Sequence, residues 1–116
     1  MSTIDHPTSE RVPLWVWPTA VVAALFFANS VPHVLAGPLI LNLPTPFSGG
    51  PGTLSSPMIN LLWGFSNVGI GWVLCRRIRR WLPVTAVRGT MVVAAVLFAV
   101  FLTWAIGSLP LPGRFS

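Results

Sequence analysis

His33 is the residue whose chemistry most needs explaining, because it lies near the end of a long apolar run. An ionisable side chain close to a membrane interior is a candidate for function by default. Asn29 stands one helical turn before it, on the same face. Further along, Asn60, Gly64, Asn67 and Gly71 follow one another at spacings of four, three and four, which puts them in one stripe if the segment is helical. Asparagines surrounded by hydrocarbon need hydrogen-bond partners, and glycines between them let a second backbone come close. If the two runs are antiparallel helices joined by the intervening loop, counting inward from that loop sets His33 level with Asn60 and Asn29 level with Gly64.

Two functions fit this constellation. Asn29, His33, Asn60 and Asn67 form either an interhelical hydrogen-bonded layer or a ligand-binding pocket for a small neutral or apolar molecule. The pocket would open outward under a lid formed by Thr45 to Ser56.

Other chemistries lack residues. His33 could ligate haem or a metal, but the other histidine, His6, falls on the opposite side of the membrane, so a two-histidine site needs a second chain. We therefore expect no metal and no cofactor. No Asp or Glu follows Glu10, which removes paired-carboxylate, metallo-hydrolase and nucleotide-binding chemistry and the carboxylate of a proton-coupled carrier. Ser55 or Ser56 could act as nucleophile with His33 as base, but an Asn would have to replace the orienting acid. Cys75 is the sole cysteine, so neither an internal disulfide nor a cysteine zinc site is available. Arg76 and Arg77 beside it favour its thiolate, yet a small residue at a helix end is the simpler reading. The balance leans away from an enzyme.

The elements that must position these residues follow from composition. Of 116 residues 53% are hydrophobic and 8% charged, against roughly 25% charged in soluble domains. Such a chain has no surface to offer water and must be an integral membrane protein. The net charge of +5 comes from arginine alone. Arg76, Arg77, Arg79 and Arg80 crowd into one short turn beside Trp81, with Arg88 close behind. Nucleic acid would need a basic face spread along a water-exposed element. A tight basic turn between apolar helices reads instead as a membrane-surface anchor for anionic lipid headgroups.

The chain divides accordingly into an all-α, three-span protein. A polar tail at 1–12 precedes a first span at 13–36, which opens with Trp15 and Trp17 at interface depth and should be kinked or stopped by Pro32. A rival reading makes this segment a signal peptide cleaved after Ala36, although its apolar run is long and its leader lacks a basic start. The loop at 37–56 has no charge, and its apolar side chains and prolines predict an ordered structure. Ser56-Pro57 has the form of an N-cap followed by proline at the first helical position, opening a second span at 57–75. The arginine turn fills 76–85, a third span 86–109 and a tail 110–116. Five arginines at 76–88 and none in the loop predict a cytoplasmic turn and N-terminus, an outer loop and an outer C-terminus, in a multi-pass cell-membrane protein. Ala95, Ala99, Thr103 and Gly107 on the third span, and Ala20, Ala24 and Ala28 on the first, form close-packing stripes. These serve the monomer's own core or contact with a partner membrane protein or a second copy.

Beyond these physical readings, one stretch resembles a known family. His33-x3-Gly37, Thr45-Pro46-Phe47, Pro51-Gly52, Leu54-Ser55-Ser56-Pro57, Asn60, Leu62-Trp63-Gly64 and Asn67 look like a family of small bacterial integral membrane proteins. The resemblance covers the loop and second helix and implies class and bacterial origin, but no mechanism. Where that family has Pro-Pro-Gly followed by a basic residue, this chain has Gly50-Pro51-Gly52-Thr53, which removes the charge an anion-binding loop would use. The expected role is that of a non-enzymatic structural or accessory membrane component, with a binding or permeation unit built on the Asn/His pocket as the alternative.

Overall fold

The structure is a computed structural model that describes residues 11–49 and 53–108. The polar tail, the loop tip at 50–52 and the C-terminal tail expected from the sequence lie largely or wholly outside those residues.

Three helices account for most of the described chain: α1 (Val16–Ala36), α2 (Pro57–Arg77) and α3 (Thr85–Ser108), with a 3-10 turn at Arg79–Trp81 between the last two. No strand occurs among the described residues. At about 1.5 Å per residue, α1 and α2 each reach about 31 Å, the thickness of a bilayer's hydrocarbon core. All three are apolar enough to span one. The protein is a small all-helical, multi-pass membrane protein.

Helix limits follow local chemistry. The Ser56 side chain accepts the Ile59 N–H at 3.2 Å, and Pro57 takes the first helical position, so α2 starts where its cap predicts. Its far end runs beyond the expected Cys75 to Arg77, because Ile78 N–H still reaches the Leu74 and Cys75 carbonyls. Arginines in that last turn suit the negative end of the helix dipole. Pro32 does not stop α1, which continues to Ala36. Beyond it, Leu41 N–H bonds the Ala36 carbonyl at 2.8 Å, and Ile40 sits between at φ 56°. This is the bond pattern of a left-handed helix terminator, with a β-branched residue where glycine is normal.

α1 packs along α2 residue against residue. Gly37 faces Leu61, Gly64 faces Val34 and Gly71 faces Phe27. At Gly64 an added Cβ would lie 2.7 Å from the Val34 backbone nitrogen, so only glycine permits this approach. The register corrects both expected levels, because Asn60 stands one turn outward of His33 and reaches it through its side chain. Gly64 is level with His33 and Val34, whereas Asn29 lies opposite Asn67, one turn deeper.

The interior has two zones. At the arginine end, Val12, Val16 and Ala20 meet Ile78, Val84 and Val87, flanked by Trp17, Trp81, Leu82 and Met91. At the loop end the buried polar side chains gather, Ser30, His33, Ser55, Asn60 and Asn67, beside the buried Ala36. α3 belongs only to the first zone. Val87 is its one buried residue, and it packs on α1 while hardly touching α2.

Candidate functional site

The polar zone is assembled from both helices and the loop between them. His33 Nδ1 lies 2.6 Å from Asn60 Oδ1. Asn60 sits in the first turn of α2, so its side chain can turn back past the helix start. Its Nδ2 donates to the carbonyls of Leu43, Ser55 and Ser56 at 3.1, 3.1 and 3.0 Å. Those three acceptors fix the amide's orientation, since a flipped amide would set oxygen against three oxygens. Asn60 Oδ1 can only accept, so His33 must donate from Nδ1. In neutral His33, Nε2 is therefore the bare nitrogen.

Two turns deeper along α2, Asn67 Nδ2 donates to the Trp63 carbonyl at 2.7 Å, and its Oδ1 accepts from Asn29 Nδ2 at 3.1 Å. Asn60 and Asn67 are fully buried and His33 nearly so. The sequence-derived residues Asn29, His33, Asn60 and Asn67 thus meet as two bonded pairs.

Loop segments close the outside of this layer. Ser55 N–H bonds the Leu43 carbonyl at 3.0 Å, and Asn42 Nδ2 bonds the Ser55 carbonyl at 3.2 Å, tying the two limbs together. Thr45 Oγ1 lies 2.6 Å from Ser55 Oγ, and Phe47 stands edge-on to Trp63 with ring centroids 5.6 Å apart. These bonds tie the described parts of the loop to one another and to the start of α2. Neither serine meets His33, because Ser55 Oγ bonds Thr45 and Ser56 Oγ caps α2. The serine–histidine arrangement weighed from the sequence is not assembled.

Of the two arrangements the spacing allowed, the described residues form the interhelical hydrogen-bonded layer. Asn60 uses its whole amide on His33 and the loop, so the lid is bonded to the floor. A groove of about 740 Å³ lies elsewhere, between α1 and α3. It is lined by Ala28, Val31 and Leu35 on one side and Ala95, Ala99 and Ile106 on the other. The Ala95–Ala99–Thr103–Gly107 stripe faces this groove and takes no part in the monomer's core. On α1 the corresponding stripe is divided, with Ala20 and Ala24 buried and Ala28 on the groove.

Asn42 is the residue that sequence reasoning missed. Its signal was its isolation as the one asparagine in an apolar loop. At the other end, Arg76 and Arg77 close α2, Arg79 and Arg80 follow on the 3-10 turn, and the Arg80 guanidinium carbon sits 5.1 Å from the Trp81 ring centroid. Among the described residues, no three of His, Cys, Asp or Glu gather as a metal site would require.

No family model, curated protein or solved structure matches the chain.

Proposed function

We propose that this protein is a non-enzymatic accessory component of a membrane, and that it acts by packing α3 against another transmembrane helix, from a second copy or a partner protein. One observation carries this reading. α3 buries a single residue, Val87, and turns its stripe of small side chains toward an open apolar groove. In lipid, small residues are what allow helices to approach closely. The Asn/His layer supports the same reading from the other side, because its hydrogen bonds brace the α1–α2 hairpin as a rigid platform for α3.

The test is cysteine cross-linking in intact membranes. With Cys75→Ser as background, Ala99→Cys should give a protein–protein adduct, and Leu at Ala95 should diminish it. An Ala99→Cys chain that reacts only with lipid-soluble reagents and never with protein would refute the reading.

A second reading, a binding or permeation unit for a small neutral or apolar molecule, has its own support. Among the described residues no group donates to Asn29 Oδ1 or His33 Nε2, one turn apart on α1. A small hydrogen-bond donor could satisfy them.

We also propose a cytoplasmic N-terminus and arginine turn, with the α1–α2 loop and the C-terminus outside, in a bacterial cell membrane. The arginine asymmetry supports the orientation, and the resemblance of the loop and second helix supports the origin. Neutralising Arg76, Arg77, Arg79 and Arg80 together should give mixed orientation of a C-terminal reporter; uniform insertion would refute it.

A further inference from the structure

The arginine end of α2 carries a surface that neither the polar layer nor the α3 groove uses. Arg76, Arg77 and Arg79, with Trp72 and Val73, line a hollow of about 380 Å³. The chain's two acids, Asp5 and Glu10, fall outside the described residues, so no carboxylate within them neutralises these guanidinium groups. Arg80 is engaged on the Trp81 ring and does not line the hollow. Trp72 precedes Arg76 by four residues and Val73 precedes Arg77 by four, so in each row an apolar side chain lies one turn deeper than a cation.

Val73 is also shared with a second hollow of about 470 Å³, whose other walls are Ser66, Gly69, Ile70 and Leu74. This one carries no charge. The Ser66 hydroxyl is spent on the Leu62 carbonyl at 2.9 Å. At Gly69 an added Cβ would meet nothing within 4 Å, which leaves an open notch in the helix surface. Arg77 and Ser66 stand about 16 Å apart along the axis at about 1.5 Å per residue. That is close to half of a hydrocarbon core of about 30 Å. A cationic hollow thus runs continuously into an apolar notch one leaflet deep.

We propose that this surface binds one anionic glycerophospholipid, its phosphate held by Arg76, Arg77 and Arg79 and one acyl chain laid in the notch over Gly69. Charge complementarity selects the headgroup, and the match in length selects a lipid over a free anion. The inference depends on the membrane placement of α2 alone, so it stands or falls separately from the association of α3.

The experiment uses the full chain in a neutral detergent, titrated with long-chain phosphatidylglycerol, with bound lipid counted by native mass spectrometry. One phosphatidylglycerol should be retained, at least about tenfold tighter than phosphatidylcholine of the same chain length. Arg76→Gln, Arg77→Gln and Arg79→Gln should each weaken binding about fivefold, the equivalent of about 1 kcal/mol per arginine near an anionic headgroup. Gly69→Leu should weaken it about tenfold, as for about two methylenes displaced from the notch. That variant should fold, because the position is open and leucine favours the helix over glycine; an unchanged circular dichroism melt verifies it. Arg88→Gln should leave binding within about twofold, since Arg88 lies outside the hollow. Retention unaffected by Gly69→Leu would overturn the proposal, as would displacement of the lipid by millimolar inorganic phosphate. Equal losses for Arg88→Gln and Arg77→Gln would also overturn it, reducing the surface to diffuse charge.

Discussion

Replacing Asn60 by alanine is the most informative perturbation of the polar layer, because the structure says which groups it would leave unpaired. Three carbonyls lose the Asn60 amide, yet each keeps another donor. Leu43 O retains Ser55 N–H at 3.0 Å, Ser55 O retains Asn42 Nδ2 at 3.2 Å, and Ser56 O retains the backbone N–H of residue 60 at 3.0 Å. Only the His33 Nδ1–H is orphaned. A buried donor without a partner costs about 1–3 kcal/mol, and each lost bond to a carbonyl about 0.5–1 kcal/mol. Asn60→Ala should therefore destabilise the fold by about 2.5–6 kcal/mol. The isosteric Asn60→Asp should be at least as damaging, since it sets an oxygen against three carbonyl oxygens. His33→Phe combined with Asn60→Leu should be milder than Asn60→Leu alone, because the orphaned donor is gone. The assay is unfolding by SDS titration in mixed micelles, followed by far-UV circular dichroism. A loss for Asn60→Ala below about 0.6 kcal/mol, the average for one interhelical polar pair, would refute the reasoning.

Two further perturbations test the packing and the loop. Gly64→Ala places a Cβ 2.6 Å from Val34 Cγ2 and 2.7 Å from Val34 N; it should cost at least about 2 kcal/mol in the same titration. Gly89→Ala, with nothing within 4 Å, should gain up to about 1 kcal/mol, and equal stability of the two variants would refute the close helix approach. Ile40→Gly should stabilise by about 1 kcal/mol, because it relieves a β-branched residue at φ 56° that is mostly exposed. A lowered melting temperature would show that the Ile40 side chain holds the loop by contact.

The sequence made the three spans legible, because runs of apolar residues over bilayer length have few alternatives, and Ser56-Pro57 marked the start of α2 to the residue. The meeting of His33 with Asn60 was also legible, since both stand near the ends of the same loop. The register was not. Equal counting from the loop ignores the extra turn between Gly37 and Leu41, which sets Gly64 against His33 and Val34 and drops Asn29 to Asn67. Nor could spacing tell a pocket from a filled layer. That depends on where the loop's carbonyls fall, and the Leu43, Ser55 and Ser56 carbonyls carry no residue-type signature at all. The groove along Ala95–Gly107 escaped for a similar reason. A stripe of small residues reads the same whether its partner lies within the chain or outside it.

The central claim is that the Asn/His layer is a closed, directionally fixed brace in which Asn60 accepts from His33. Nitrogen-15 spectroscopy of the imidazole in bilayers measures this most directly, with His6→Gln leaving His33 as the sole histidine. For the neutral ring the account predicts a protonated Nδ1 in a strong hydrogen bond and a bare Nε2, with the pattern lost in Asn60→Ala. A neutral ring protonated at Nε2 would contradict it, because its Nδ1 could not donate to Asn60 and the brace would not exist as described.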